Sequence, residues 1–140
     1  MTCGLIAALL VIVVIALCAL GRFTIVRVVG ESMAPTLVTG QRLVAYKRRC
    51  HVNDIVVFRA DYGAADLRYL VKRVAAVGGD PVPTDLRASV DVDIVPAGTI
   101  LVRGDGGLSI DSNRLGLIAV NNIRGVVLDA SGRPQGHDIV

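Results

Sequence analysis

The chain has 140 residues, room for one domain and little more, and 53% of them are hydrophobic. Its net charge is only +3, with two Phe, three Tyr and no Trp, so no platform for base stacking stands out and nucleic acid is not an expected partner. Three cysteines make no disulfide framework: on one helix Cys3 and Cys18 would lie about 22 Å apart, which leaves Cys50 alone.

From Thr2 to Gly21 there is no charged residue, and residues 5–20 are almost entirely Leu, Ile, Val and Ala. As a helix this stretch would be about 30 Å long, one hydrocarbon thickness of a membrane. Ala16 and Cys18 could stand at a cleavage site, but no Lys or Arg precedes the apolar run. The charged start of a removable signal is therefore missing, and residues 1–21 read as a retained transmembrane anchor. The first positive side chains, Arg22 and Arg27, would by loop charge alone keep the downstream part cytoplasmic.

Beyond Arg22 the texture changes to short β-like runs. Residues 24–29, 42–45, 54–58 and 70–77 are rich in β-branched side chains, and residues 90–95 alternate Val and Ile with Asp as a half-buried strand would. Val95-Pro96-Ala97-Gly98 reads as a turn into a strand over 99–103, and the last run covers 125–128. Lys47, Arg48 and Arg49 read as a solvated hairpin tip, with contact to anionic lipid headgroups as the sharper alternative. Cys50 sits beside His51, yet neighbouring strand residues point to opposite faces, so Cys50 reads as structural. Many short strands separated by turns, with no amphipathic helix, predict a mostly β, compact antiparallel domain over 22–130 and a loose tail over 131–140.

Three stretches could carry chemistry. In Gly30-Glu31-Ser32-Met33-Ala34-Pro35-Thr36-Leu37 a strand breaks into a Pro-containing turn that can project the Ser32 hydroxyl from the sheet. Taken alone it could equally be an ordinary serine-containing turn. In Tyr69-Leu70-Val71-Lys72-Arg73-Val74-Ala75, Lys72 shares a strand face with Leu70 and Val74, while Arg73 shares the other with Val71 and Ala75. A lysine held among apolar side chains is pushed toward the neutral amine, which can act as a base; a snorkelling or salt-bridged pair is the plainer reading. The third stretch, from Gly104-Asp105-Gly106 through Ser109-Ile110-Asp111-Ser112-Asn113-Arg114, is dense in hydrogen-bonding groups at a strand-to-turn boundary. No acidic spacing here or at Asp91 and Asp93 suggests a metal site, and no cofactor is expected.

The order of these stretches resembles the type I signal peptidase family of Ser/Lys serine proteases. The shared boxes are Ser32-Met33-Ala34-Pro35-Thr36-Leu37, then Asp54-Ile55-Val56-Val57-Phe58, then Lys72-Arg73-Val74 through Gly79-Asp80, then Gly104-Asp105 through Ser109-Ile110-Asp111-Ser112, with Ile123-Arg124-Gly125 closing. The resemblance implies a Ser32 nucleophile with Lys72 as its general base, the bacterial-type pair. It further implies that Ser109 steadies the Lys72 amine and that Asp111 pairs with an arginine, most simply Arg73. The oxyanion would be met by the backbone of Ser32 and the Gly30 region, since position 30 lacks the hydroxyl found in some relatives.

Gly106 replaces the usual Asn, the loop to Ser109 is one residue short, and Asn113 replaces an Arg, which leaves the partner of Asp111 open. The resemblance implies a cytoplasmic-membrane endopeptidase, single-pass, with its catalytic domain outside. It would cleave the signal peptides of secretory precursors at small-x-small sites. A dedicated maturation protease for one secreted or conjugation-related substrate, and a catalytically dead peptide-binding relative, are the alternatives.

Overall fold

The computed structural model describes residues 2–60, 68–106 and 115–129, with side chains from Ile6 onward in the N-terminal helix and from Tyr69 onward in the fourth strand. Helix α1 spans Thr2–Leu20 and contains no acidic or basic residue in its end turns. Its apolar side chains are exposed all round, from Ile6 to Leu20. Among the described residues no helix is long and apolar enough to cross a membrane.

Among the described residues seven strands follow: β1 Phe23–Arg27, β2 Arg42–Tyr46, β3 Ile55–Ala60, β4 Arg68–Val77, β5 Thr99–Arg103, β6 Ile118–Ala119 and β7 Ile123–Leu128. They form one sheet in the order β1-β2-β7-β3-β4-β5-β6, and all six pairings are antiparallel. The expected mostly β, compact antiparallel domain is therefore present. β7 enters between the β1–β2 and β3–β4 pairs, and register shifts at Val57/Phe58 and between Val74 and Ala76 bend the sheet.

That bending lets β3 be covered on both sides, which is why it is apolar without alternation as far as Phe58. Val56 and Phe58 pack with Val74, Val102 and Val126. Ile55 and Val57 pack on the other side with Met33, Leu37, Leu43 and Val127. A third cluster, of Ala76, Val82, Leu86, Val95 and Leu101, sits beneath a short 3-10 turn at Thr84–Ser89.

The expected strand over 90–95 is not a strand. Val82 N–H donates to the Asp93 carbonyl and Val95 N–H to that of Asp80, around a single bridge between Pro81 and Ile94. Pro81 and Pro83 have no N–H to extend a ladder, so the pairing stops there. Val92 and Ile94 are left exposed while Val95 is buried. The tail over 131–140, Ser109 and Asp111 lie outside the described residues.

Candidate active site

The connection between β1 and β2 carries Ser32. The ladder runs one step past the strands, since Val28 N–H donates to the Gln41 carbonyl (2.8 Å) and Gly40 N–H to that of Val28 (2.9 Å). The chain then opens into a loop closed by two internal bonds, Ala34 N–H to the Glu31 carbonyl (3.0 Å) and Leu37 N–H to that of Met33 (2.9 Å). Met33 and Leu37, 2% and 0% exposed, plug into the core beneath. Ser32 stands between exposed Glu31 and buried Met33, half-buried at the rim of the loop. The Ala34–Pro35 peptide is cis. Gly30 takes a φ of +92°, a conformation that only glycine adopts freely, and its carbonyl accepts a bond from the Thr39 hydroxyl at 2.8 Å.

Lys72 lies on β4 opposite Val56 of β3 and is only 1% exposed. Among the described residues it and Asp54 are the buried charged side chains. Strand alternation puts Lys72 on the same face as Leu70 and Val74, both of which pack with Val56 and Phe58. Its burial does not fit a lysine snorkelling out from an edge strand, one of the two readings left open by the sequence.

A groove of about 300 Å³ joins the two elements. Val28, Val29, Gly30, Ser32 and Met33 form one wall, and Tyr69, Leu70 and Val71 of β4 the other. The structure thus brings Ser32 to the groove wall formed by Leu70, which immediately precedes Lys72 on that face of the strand. Residues 28–30 and Tyr69, from the two neighbouring elements, face one another across this groove.

Arg73 faces the opposite way and is clamped. Its Nε and one terminal nitrogen donate to the two carboxylate oxygens of Asp105 at 2.8 and 2.6 Å, and the other to the Asn53 carbonyl at 2.9 Å. Burial would push the Asp105 carboxyl up, but hydrogen bonds from Arg73 and Thr36 and the charges of Arg73 and Arg103 outweigh it, holding it below the usual carboxylate range. The Asp105 bond raises Arg73 against the opposing effect of burial. Asp105 therefore ties Thr36 of the Ser32 loop to the residue that follows Lys72.

Gly106 adds a second tie, its N–H donating to the Ser32 carbonyl at 3.0 Å. A Cβ there would lie 2.7 Å from the Glu31 carbonyl oxygen, so this close approach has no room for the Asn that the resemblance leads one to expect. The roles of Asp105, Thr36 and Gly106 were not assigned from the sequence. The available signal was positional: Arg73 pairs with Arg103 across β4 and β5, which carries the turn after β5 back toward Arg73.

Near the other end of the sheet, Arg48 is no solvated tip. One of its terminal nitrogens donates to both carboxylate oxygens of buried Asp54, at 3.0 and 2.8 Å. Cys50 is buried, and burial pushes its thiol up, away from the reactive thiolate. Among the described residues no three His, Cys, Asp or Glu side chains are grouped to hold a metal ion.

The family described as signal peptidase, peptidase S26, matches residues 2–92, a stretch that contains Ser32, Lys72 and Arg73 but not the turn after β5. No curated protein matches the chain. The match covers well over half of the sequence and includes the serine loop and the lysine strand that together line the groove, and on that ground the chain belongs to the signal peptidase family S26.

Proposed function

We propose that the protein is a membrane-anchored serine endopeptidase that removes signal peptides from exported precursors, with Ser32 as nucleophile and Lys72 as general base. The observation that carries this reading is the placement of Ser32 in a groove whose far wall, Tyr69-Leu70-Val71, runs directly into fully buried Lys72. A neutral lysine amine takes the Ser32 proton as Oγ attacks the scissile carbonyl, then returns it to the leaving amine. The backbone N–H of Ser32, with the Gly30 region, meets the oxyanion. Ser109 steadies the amine, and Arg73 with Asp105 holds β4 against the serine loop. Asp111 supports the same corner.

An extended segment laid along residues 28–30 would pair by backbone hydrogen bonds and place small side chains against Val28, Met33 and Leu70. Small-x-small cleavage sites fit such a shallow apolar groove. Helix α1 falls short of a full membrane span among the described residues, so the anchor reading, with the catalytic domain outside the cytoplasmic membrane, rests on the uncharged run from Thr2 to Gly21 and on the apolar side chains that α1 exposes all round.

Purified protein incubated with a panel of secretory precursors tests the reading. Wild type should release mature proteins cut after small-x-small sites, and Ser32→Ala should process less than about 1% as fast while melting at the same temperature. Processing by Ser32→Ala at a tenth of the wild-type rate or more would rule Ser32 out as nucleophile.

A further inference from the structure

Two hollows meet where α1 enters the sheet. The first, about 1130 Å³, is apolar over most of its lining, between Val14, Ile15 and Ala19 of the helix and Phe23, Tyr46 and Leu128 of the sheet. The second, about 680 Å³, is ringed by Lys47, Arg48, Arg49, Arg59 and Arg124, with no carboxylate among the described residues of its lining. Gly21, Lys47 and Arg48 line both, so the hollows adjoin. Arg48 is spoken for by Asp54, but Lys47, Arg49, Arg59 and Arg124 have no carboxylate partner among the described residues. Arg124 stacks on the Tyr69 ring at 5.5 Å, so the basic ring reaches the strand that walls the groove.

From this pairing of an apolar hollow with a basic cleft we infer that the root of α1 binds one anionic phospholipid, its phosphate in the cleft and an acyl chain along the hollow. A cleft in which four cations have no carboxylate partner among the described residues attracts a phosphate of either source, but a free phosphate would leave the adjoining apolar hollow unused. The basic start of a signal peptide would be repelled by the same ring, which argues against the substrate as occupant. The inference rests on the anchor reading only in placing lipid at this end of the molecule. The site is independent of Ser32.

The test uses the full chain in neutral detergent micelles at about 0.1 M salt, titrated with short-chain phosphatidylglycerol, short-chain phosphatidylcholine or inorganic phosphate. Thermal unfolding by circular dichroism is the readout. Phosphatidylglycerol should raise the melting temperature by several degrees, while phosphatidylcholine and phosphate should leave it in place. Arg49→Gln and Arg59→Gln should each weaken the apparent affinity roughly fivefold, and Lys47→Gln with both should abolish the shift. Arg87→Gln, an exposed arginine elsewhere, should keep it. If the triple variant proves unstable, the two single variants decide. An equal response to phosphatidylcholine, full reproduction by phosphate, or undiminished affinity in both single variants overturns the inference. Failure of the anchor reading would show separately, as release of the protein from membranes by alkaline carbonate.

Discussion

In the proposed mechanism Lys72 is the residue on which the chemistry turns. A lysine in water has a pKa of about 10.4, so near pH 7 fewer than about one in a thousand carry a free lone pair. Burial between Leu70 and Val74 favours the neutral form, because an ammonium loses its hydration there. The plot of kcat/KM against pH should accordingly rise through an apparent pKa between about 7 and 9. Lys72→Arg should be inactive, since guanidinium keeps its proton across this range. A rising limb near pH 6, or an active Lys72→Arg, would assign the base to another group.

Asp105 makes the opposite prediction about stability. Its carboxyl is held below its ordinary value of 3.8, so the folded state binds the proton less tightly than the unfolded chain does. The stability this contributes is fully present above that ordinary value and is lost as pH falls through the lower folded value. Asp105→Asn should melt lower at pH 7 and lose less on acidification below about pH 4. Parallel melting curves for the two proteins across that acid range would refute the linkage.

Among the elements, the serine loop is positioned from two directions: Met33 and Leu37 anchor it from below, and the Asp105-Gly106 turn grips its edge. Gly106→Ala sets a methyl against backbone atoms of Glu31 and Ser32 that no side-chain rotation can clear. The expected result is kcat lowered by about tenfold or more, with a melting temperature within a few degrees of wild type, because displacing a reacting group by a fraction of an ångström suffices. An unchanged kcat would mean that the turn does not set the loop's position.

This grip was the part of the site the sequence left unread. Ser32 and Lys72 could be picked out because each sits in a run of distinctive residues, and β1 to β5 announce themselves by β-branched runs closed by turn formers. The partner of Arg73 depends on the register between β4 and β5, and a register shift near Ala75 changes which residues of the following turn come within reach. Alternation misled at 90–95 for a related reason. Period two marks a strand only where a neighbour can supply a ladder, and Pro81 and Pro83 cannot. The fate of Arg48 was likewise hidden, since the ion pair with Asp54 is made by the path of the chain between β2 and β3.

For the whole molecule, the anchor reading predicts that the chain stays with membranes through alkaline carbonate and leaves only with detergent. Quantitative release by carbonate would make α1 a peripheral helix instead. The sheet order has a consequence of its own, one of timing. Ser32 belongs to the β1–β2 pair and Lys72 to the β3–β4 pair, and the strand that hydrogen-bonds to both pairs is β7. Val127 of that strand also completes the cluster in which Met33 and Leu37 are seated. A growing chain that has not yet made residues 123–128 holds its serine and its lysine on two hairpins with no strand between them. If β7 is what brings the two hairpins together, assembly of the groove waits for it, and the proposed peptidase would pass most of its own synthesis without a formed site.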